Sequence, residues 1–141
     1  MPRRRPPTKP KGDWVECEFM ASATRRGLTV SKPYGDSTRY DFMVDAGVKS
    51  GQAGRISRVQ VKSVSVLDQD SYRLTLSRGG GSKTGYRCCE IDFLAGYVIP
   101  QDVWYIIPVR AVARLKSIRL CPHRPSRRRL ELYREAWRLL R

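Results

Sequence analysis

Asp41, Gln60 and Lys62 are polar residues set among Tyr, Phe, Val and Met in two short runs, RYDFMVD (residues 39–45) and RVQVKS (residues 58–63), where a plain core strand would carry apolar side chains. Residues two apart in a strand share a face, so Gln60 and Lys62 point one way while Val59, Val61 and Ile56 are expected on the other. With Asp41 on a neighbouring strand, its carboxylate reaches the same spot as the Gln60 amide oxygen. A carboxylate, an amide oxygen, a backbone carbonyl such as that of Val61 and waters make a hard-oxygen site of the kind Mg²⁺ prefers, with Mn²⁺ as a substitute. Glu16, further towards the N-terminus, is placed to add a second carboxylate. Lys62 then has a chemical reason for its position. A lysine there can stabilise the charge developing on a pentacovalent phosphate as its ammonium, or help orient and, as its amine, deprotonate an attacking water. Taken singly, each residue has a plainer role: a lysine on a strand edge is usually solvated, and an aspartate after Tyr40 can simply end a turn. Their occurrence in one ordered pattern on a basic chain favours the catalytic reading.

The elements that must hold these residues follow from periodicity. DWVECEFMASATRR (residues 13–26) places Trp14, Val15, Phe19, Met20 and Ala23 at helical intervals, with an acid near its start and arginines before Gly27, which predicts a helix over Asp13–Arg26. Beyond Gly27 the runs LTV, YDFMVDA, RISRVQVKSVSVL, SYRLTLS, IDFLAGYVI and VWYIIPV alternate with period two and are separated by Gly, Ser or Pro, which predicts strands. KPYGDST, GVKSGQAG and RGGGSKTGYR read as loops. Near the C-terminus Leu130, Tyr133, Trp137 and Leu140 fall on one side of an expected amphipathic, arginine-rich helix. The opening MPRRRPPTKPK, with four prolines and no aliphatic residue after Met1, reads as a flexible basic arm over residues 1–11, leaving residues 12–141 as one domain. A chain of 141 residues suits one hydrophobic core.

Composition limits the partners. Lys and Arg number 28 against 13 Asp and Glu, a formal charge of +15, so a polyanion such as DNA, RNA or an acidic membrane surface would be drawn to the chain. The four cysteines, Cys17, Cys88, Cys89 and Cys121, have no disulfide-framework spacing and no CxxC pair, and reduced thiols in a cytoplasmic protein are expected. The only histidine, His123, reads as a surface residue. No apolar run approaches the ~18 residues of a membrane helix, and no secretory signal is expected.

GDWVE, GDSTRYDFMVD, RVQVKS and EIDFLAGYVIPQDVWYIIPV, in this order over Gly12–Val109, resemble the PD-(D/E)xK nuclease superfamily. The likeness is to the branch of group I intron-associated homing endonucleases and, more distantly, to archaeal Holliday junction resolvases. It implies an α/β fold, a central mixed sheet flanked by helices with a restriction-endonuclease-like core. Position by position, Glu16 corresponds to the helix glutamate, Asp41 to the metal-binding aspartate, Gln60 to the (D/E) position and Lys62 to the lysine. Tyr40 stands in place of the motif's proline. Gln60 in place of an acid removes one negative charge, a QxK form that the homing-endonuclease branch shares. No second core helix is evident between the third and fourth core strands, where GSKTGYRCCE reads as a loop or short helix. The resemblance implies a Mg²⁺-dependent endonuclease acting on double-stranded DNA, with phosphate contacts from Lys32, Arg39, Arg58, Arg78, Lys83 and Arg87. One active site per domain implies a homo-oligomer, a dimer or tetramer, for cutting both strands. Two alternatives share the pattern: a junction resolvase, and a DNA-binding protein whose chemistry has lapsed.

Overall fold

A computed structural model describes residues 8–35, 37–49, 51–76, 85–124 and 129–141. Helix α1 (Thr8–Arg25) begins earlier than periodicity predicts, so Thr8–Lys11 of the expected flexible arm are helical; residues 1–7 lie outside the described residues. Pro10 is compatible with this start, since first-turn N–H groups have no intrahelical partner to lose. The helix stops at Gly27, whose φ of +79° is costly for other residues. There the Leu28 N–H donates back to the Ala23 carbonyl at 3.2 Å, a Schellman-type ending.

Five strands form a mixed sheet in the order β1 (Thr29–Ser31), β2 (Phe42–Asp45), β5 (Ile56–Val64), β8 (Phe93–Val98) and β9 (Val103–Pro108). Only β5 and β8 run parallel, in register Gln60 with Leu94. Between β2 and β5 the chain makes a two-stranded ribbon, β3 (Val48–Lys49) and β4 (Gln52–Ala53), where the sequence suggested only a loop. The crossover from β5 to β8 passes through β6 (Leu67–Asp68) and β7 (Ser71–Thr75), which join β10 (Ser117–Leu120) in a second sheet. That sheet covers the face of the five-stranded sheet opposite α1, and among the described residues the crossover holds no helix. Residues 78–84 of the expected glycine-rich loop, and residue 77 before it, lie outside the described residues.

Alternation along the strands divides the interior in two. Val59, Val61, Phe93, Ala95, Trp104 and Ile106 pack against Val15, Phe19 and Ala23 of α1, three residues spaced one helical turn apart. Leu94, Val98, Val103, Tyr105 and Ile107 face the second sheet through Tyr72, Leu74, Ile118 and Leu120. A Cβ at Gly96 would come within 3.0 Å of Leu74, which is why the sheets can approach there. Ile56 corrects its expected facing: it shares its parity with Gln60, not with Val59, and is 54% exposed.

Among the described residues the expected C-terminal amphipathic helix does not form. Arg129–Tyr133 and Trp137–Leu140 are separate 3₁₀ turns, broken at Glu135, whose φ is +48°. Glu135 is drawn to the edge of β9: its N–H donates to the Trp104 carbonyl at 2.7 Å, and its carboxylate accepts from the Trp104 N–H and the Trp137 ring N–H. These bonds outweigh a continuous helix and still bury Trp137 and Leu140. Among the described residues no helix is long and apolar enough to cross a membrane.

Candidate active site

Sheet register brings Asp41 to Gln60. The Asp41 N–H donates to the Val59 carbonyl at 2.9 Å, extending the β2–β5 ladder one residue beyond β2. Asp41 Oδ2 then accepts from the Val61 N–H and from Gln60 Nε2, each at 2.8 Å, and the same amide nitrogen lies 3.4 Å from the Val61 carbonyl. The Val61 side chain is in the core, so the peptide holding this cluster is fixed from behind. Burial raises the Asp41 carboxyl above its ordinary value, and the Glu16 charge adds to it. The Val61 N–H, Lys62 and Lys32 act in the opposite sense without cancelling it.

Glu16, on α1, does not bond Asp41 but is near enough to act on it electrostatically. Its Oε2 pairs with Lys32 Nζ at 2.6 Å, and that bond raises the lysine's pKa. Lys32 also lies over the Phe42 ring, 5.6 Å from its centre. Beside this cluster a depression of about 210 Å³ is lined by Lys32, Pro33, Gly35, Thr38, Tyr40 and Asp41. Tyr34, at 106% relative exposure, stands in the same loop.

Three of the six expected phosphate contacts are engaged within the molecule. Lys32 pairs with Glu16 and Arg39 with Glu90, at 2.5 Å. Arg58 grips Asp92 through Nε and Nη2, both at 3.1 Å, and donates through Nη1 to the Cys89 carbonyl. Arg87 is exposed, and its backbone N–H donates to Glu90 at 3.2 Å. Arg78 and Lys83 lie outside the described residues. Glu90 and Asp92 escaped the sequence reading. The available signal was the place of Asp92 directly before a strand, the place that Asp41 also holds.

The donors fit a divalent ion by chemistry. Asp41, the Val61 carbonyl and Glu16 are hard oxygens, and Gln60 joins them when its amide turns to present oxygen in place of nitrogen, two ends nearly equal in size. Among the described residues no three His, Cys, Asp or Glu side chains cluster as a ligand set, as the glutamine at this position implies. None of the four cysteines is in a disulfide, and His123 lies edge-on to Tyr72.

Residues 7–140 match the PD-(D/E)XK endonuclease family, whose members use divalent metal ions. Among solved structures the chain is similar to a bacterial homing endonuclease, I-Ssp6803I, at 29% identity and a TM-score of 0.80, covering 96% of this chain and 93% of that one. No curated protein matches. The mixed sheet, the hard-oxygen cluster at its centre and this agreement along nearly the whole chain lead to one conclusion: the chain belongs to the PD-(D/E)XK endonuclease family, and is a metal-dependent nuclease with a restriction-endonuclease-like, homing-endonuclease-like fold.

Proposed function

We propose that the chain is a Mg²⁺-dependent endonuclease of double-stranded DNA, in which Asp41, Gln60 and the Val61 carbonyl hold the ion. Mn²⁺ is its substitute. The observation that carries this reading is the meeting of Asp41, Gln60 and the Val61 peptide within hydrogen-bond distance. A bound divalent ion supplies Lewis acidity and makes water a nucleophile at neutral pH. Water oxygen attacks phosphorus, and the bond to the leaving oxygen breaks as that oxygen gains a proton. Lys62 places an ammonium against the charge that grows on the phosphate and helps orient the water, whose proton passes to solvent. Glu16 supports the ion's side of the site from α1. Lys32, released from Glu16, is available to the DNA backbone. The formal +15 favours a polyanion. Cysteines outside disulfides suit a cytoplasmic setting. One site per chain requires a homo-oligomer, a dimer or tetramer, to cut both strands.

One observation favours a second reading, a DNA-binding protein without chemistry: the Gln60 nitrogen, not its oxygen, faces Asp41. Incubation of linear and four-way DNA with Mg²⁺ or Mn²⁺ separates the readings. Cleavage of linear duplex supports the endonuclease; cleavage confined to four-way DNA indicates a junction resolvase; binding without cleavage of either indicates the second reading.

A further inference from the structure

A second concavity lies towards the start of β5, away from Asp41. It has a volume of about 410 Å³, and its walls include Arg55, Ser57, Asp92, Phe93, Val109 and Arg110. Ile56 at its rim is four residues from Gln60 along β5, about 13 Å at the rise of a strand, so an occupant leaves the candidate active site clear.

Three features of this cavity point to an anion. First, its charge is unbalanced. Neither Arg55 nor Arg110 forms an ion pair among the described residues, whereas both Asp92 oxygens are already taken by Arg58. Second, one cation is set in place. The Arg55 guanidinium donates to the Leu139 carbonyl and lies over the Phe93 ring, 5.4 Å from its centre, so little side-chain freedom remains to be lost on binding. Third, Ser57 is 1% exposed, and its hydroxyl oxygen, a donor and acceptor, has no hydrogen-bond partner. A buried hydroxyl left unpaired costs free energy that a hydrogen-bonding ligand recovers. The apolar floor of Phe93 and Val109 suits the sugar or base attached to a phosphate.

We propose that this cavity is a phosphate-binding site outside the catalytic cluster, with Arg55 and Arg110 as the charged contacts and the Ser57 hydroxyl as a neutral one. The phosphate comes either from the backbone of bound DNA or from a free nucleotide. Whichever source holds, the site stands independently of the reading of Asp41.

The test uses the full chain without divalent ions and three probes: inorganic phosphate, a deoxynucleoside 5′-monophosphate and a short duplex. Binding is measured by calorimetry for wild type, Arg110→Ala, Arg55→Met and Asp41→Ala, with circular dichroism confirming that each is folded. Arg110 is exposed, so its variant reports on the site even where Arg55→Met disturbs packing. A mononucleotide affinity that falls at least about tenfold in Arg110→Ala and persists in Asp41→Ala assigns a free-nucleotide site. A duplex affinity that falls in Arg110→Ala, with its logarithmic salt slope reduced by about one, assigns a DNA-backbone contact. Equal affinity of wild type and Arg110→Ala for all three probes overturns the proposal.

Discussion

Asp41 and Asp92 occupy matching niches on either side of β5. Each directly precedes a strand, each donates its N–H to a β5 carbonyl, and each Oδ2 accepts a β5 N–H, from Val61 at 2.8 Å or from Arg58 at 2.7 Å. The side chain that β5 then offers is different. Asp92 receives the two-pronged guanidinium of Arg58. Burial pushes its carboxyl up, but the Arg58 side chain, backbone N–H and charge outweigh that and hold it below its ordinary value. Asp41 receives the neutral amide of Gln60, is more deeply buried, and is left with its carboxyl raised. One niche therefore closes on a compensated ion pair that fastens strands together. The other keeps a carboxylate short of positive charge, which is the condition under which a cation is welcome.

The sharpest way to break the comparison is to delete each carboxylate. Asp41→Ala is expected to lower metal-dependent DNA cleavage on the order of 10³-fold, with DNA affinity within a few-fold, because the proposed principal ion ligand is gone. A single-turnover assay with saturating enzyme reads this directly, and an unchanged rate would refute the assignment. Asp92→Ala should leave the rate per folded molecule near wild type.

Exchanging the amide comes next. Gln60→Ala should lose most cleavage, whereas Gln60→Glu should retain a measurable rate with an altered Mg²⁺-to-Mn²⁺ preference. Lys62→Ala should be inactive with either residue at position 60. If wild type is inert with both ions and Gln60→Glu cuts, the natural protein is a binding module.

A smaller effect separates the pair by stability. Asp92→Ala strips the Arg58 N–H and guanidinium of their acceptor, and at this half-exposed position about 1 kcal/mol is expected, roughly 3 °C in Tm. Asp41→Asn retains an acceptor and removes a buried charge, so its Tm at neutral pH should equal or exceed that of wild type. Thermal melts of the two variants would reverse the comparison if Asp41→Asn proved the less stable.

The pH dependence is subtler still. Asp92, depressed by folding, contributes stability that is present above the ordinary carboxylate value near 3.8 and is lost as pH falls through its folded pKa. Asp41, raised by folding, contributes in the opposite sense: its term is full below that value and lost as pH rises through its folded pKa. Denaturation followed from pH 6 down to pH 2 should therefore show a flatter acid limb in Asp92→Asn and a steeper one in Asp41→Asn.

The strands that carry the candidate site were legible because alternation is local: Phe42, Val44, Val59 and Val61 announce a buried face, and the polar residues between them stand out. Asp41, Gln60 and Lys62 could be picked out on that ground before any register was known. The pairs Lys32 with Glu16, Arg39 with Glu90 and Arg58 with Asp92 could not, since each joins residues far apart in sequence whose types are ordinary for a basic surface. The second sheet was half visible, through SYRLTLS, while β10 in SIRL is too short to signal itself. Near the C-terminus, Leu130, Tyr133, Trp137 and Leu140 satisfy a helical period and two 3₁₀ turns equally well. What decides between them is Glu135 bonding to Trp104, a tertiary bond with no local trace.

That same bond ties the history of folding to the far end of the chain. Trp137 stacks on Phe19 with ring centres 5.7 Å apart, and Arg141 donates to the Arg26 carbonyl across 115 residues. The interior beneath α1 is thus completed by residues from opposite ends of the described chain, and the closure of so long a loop must precede the reward of its contacts. A polypeptide still without residues 135–141 lacks Trp137, the third ring on Phe19 beside Phe42 and Trp104. For a nuclease, this postpones a finished scaffold until that stretch of chain is free to return.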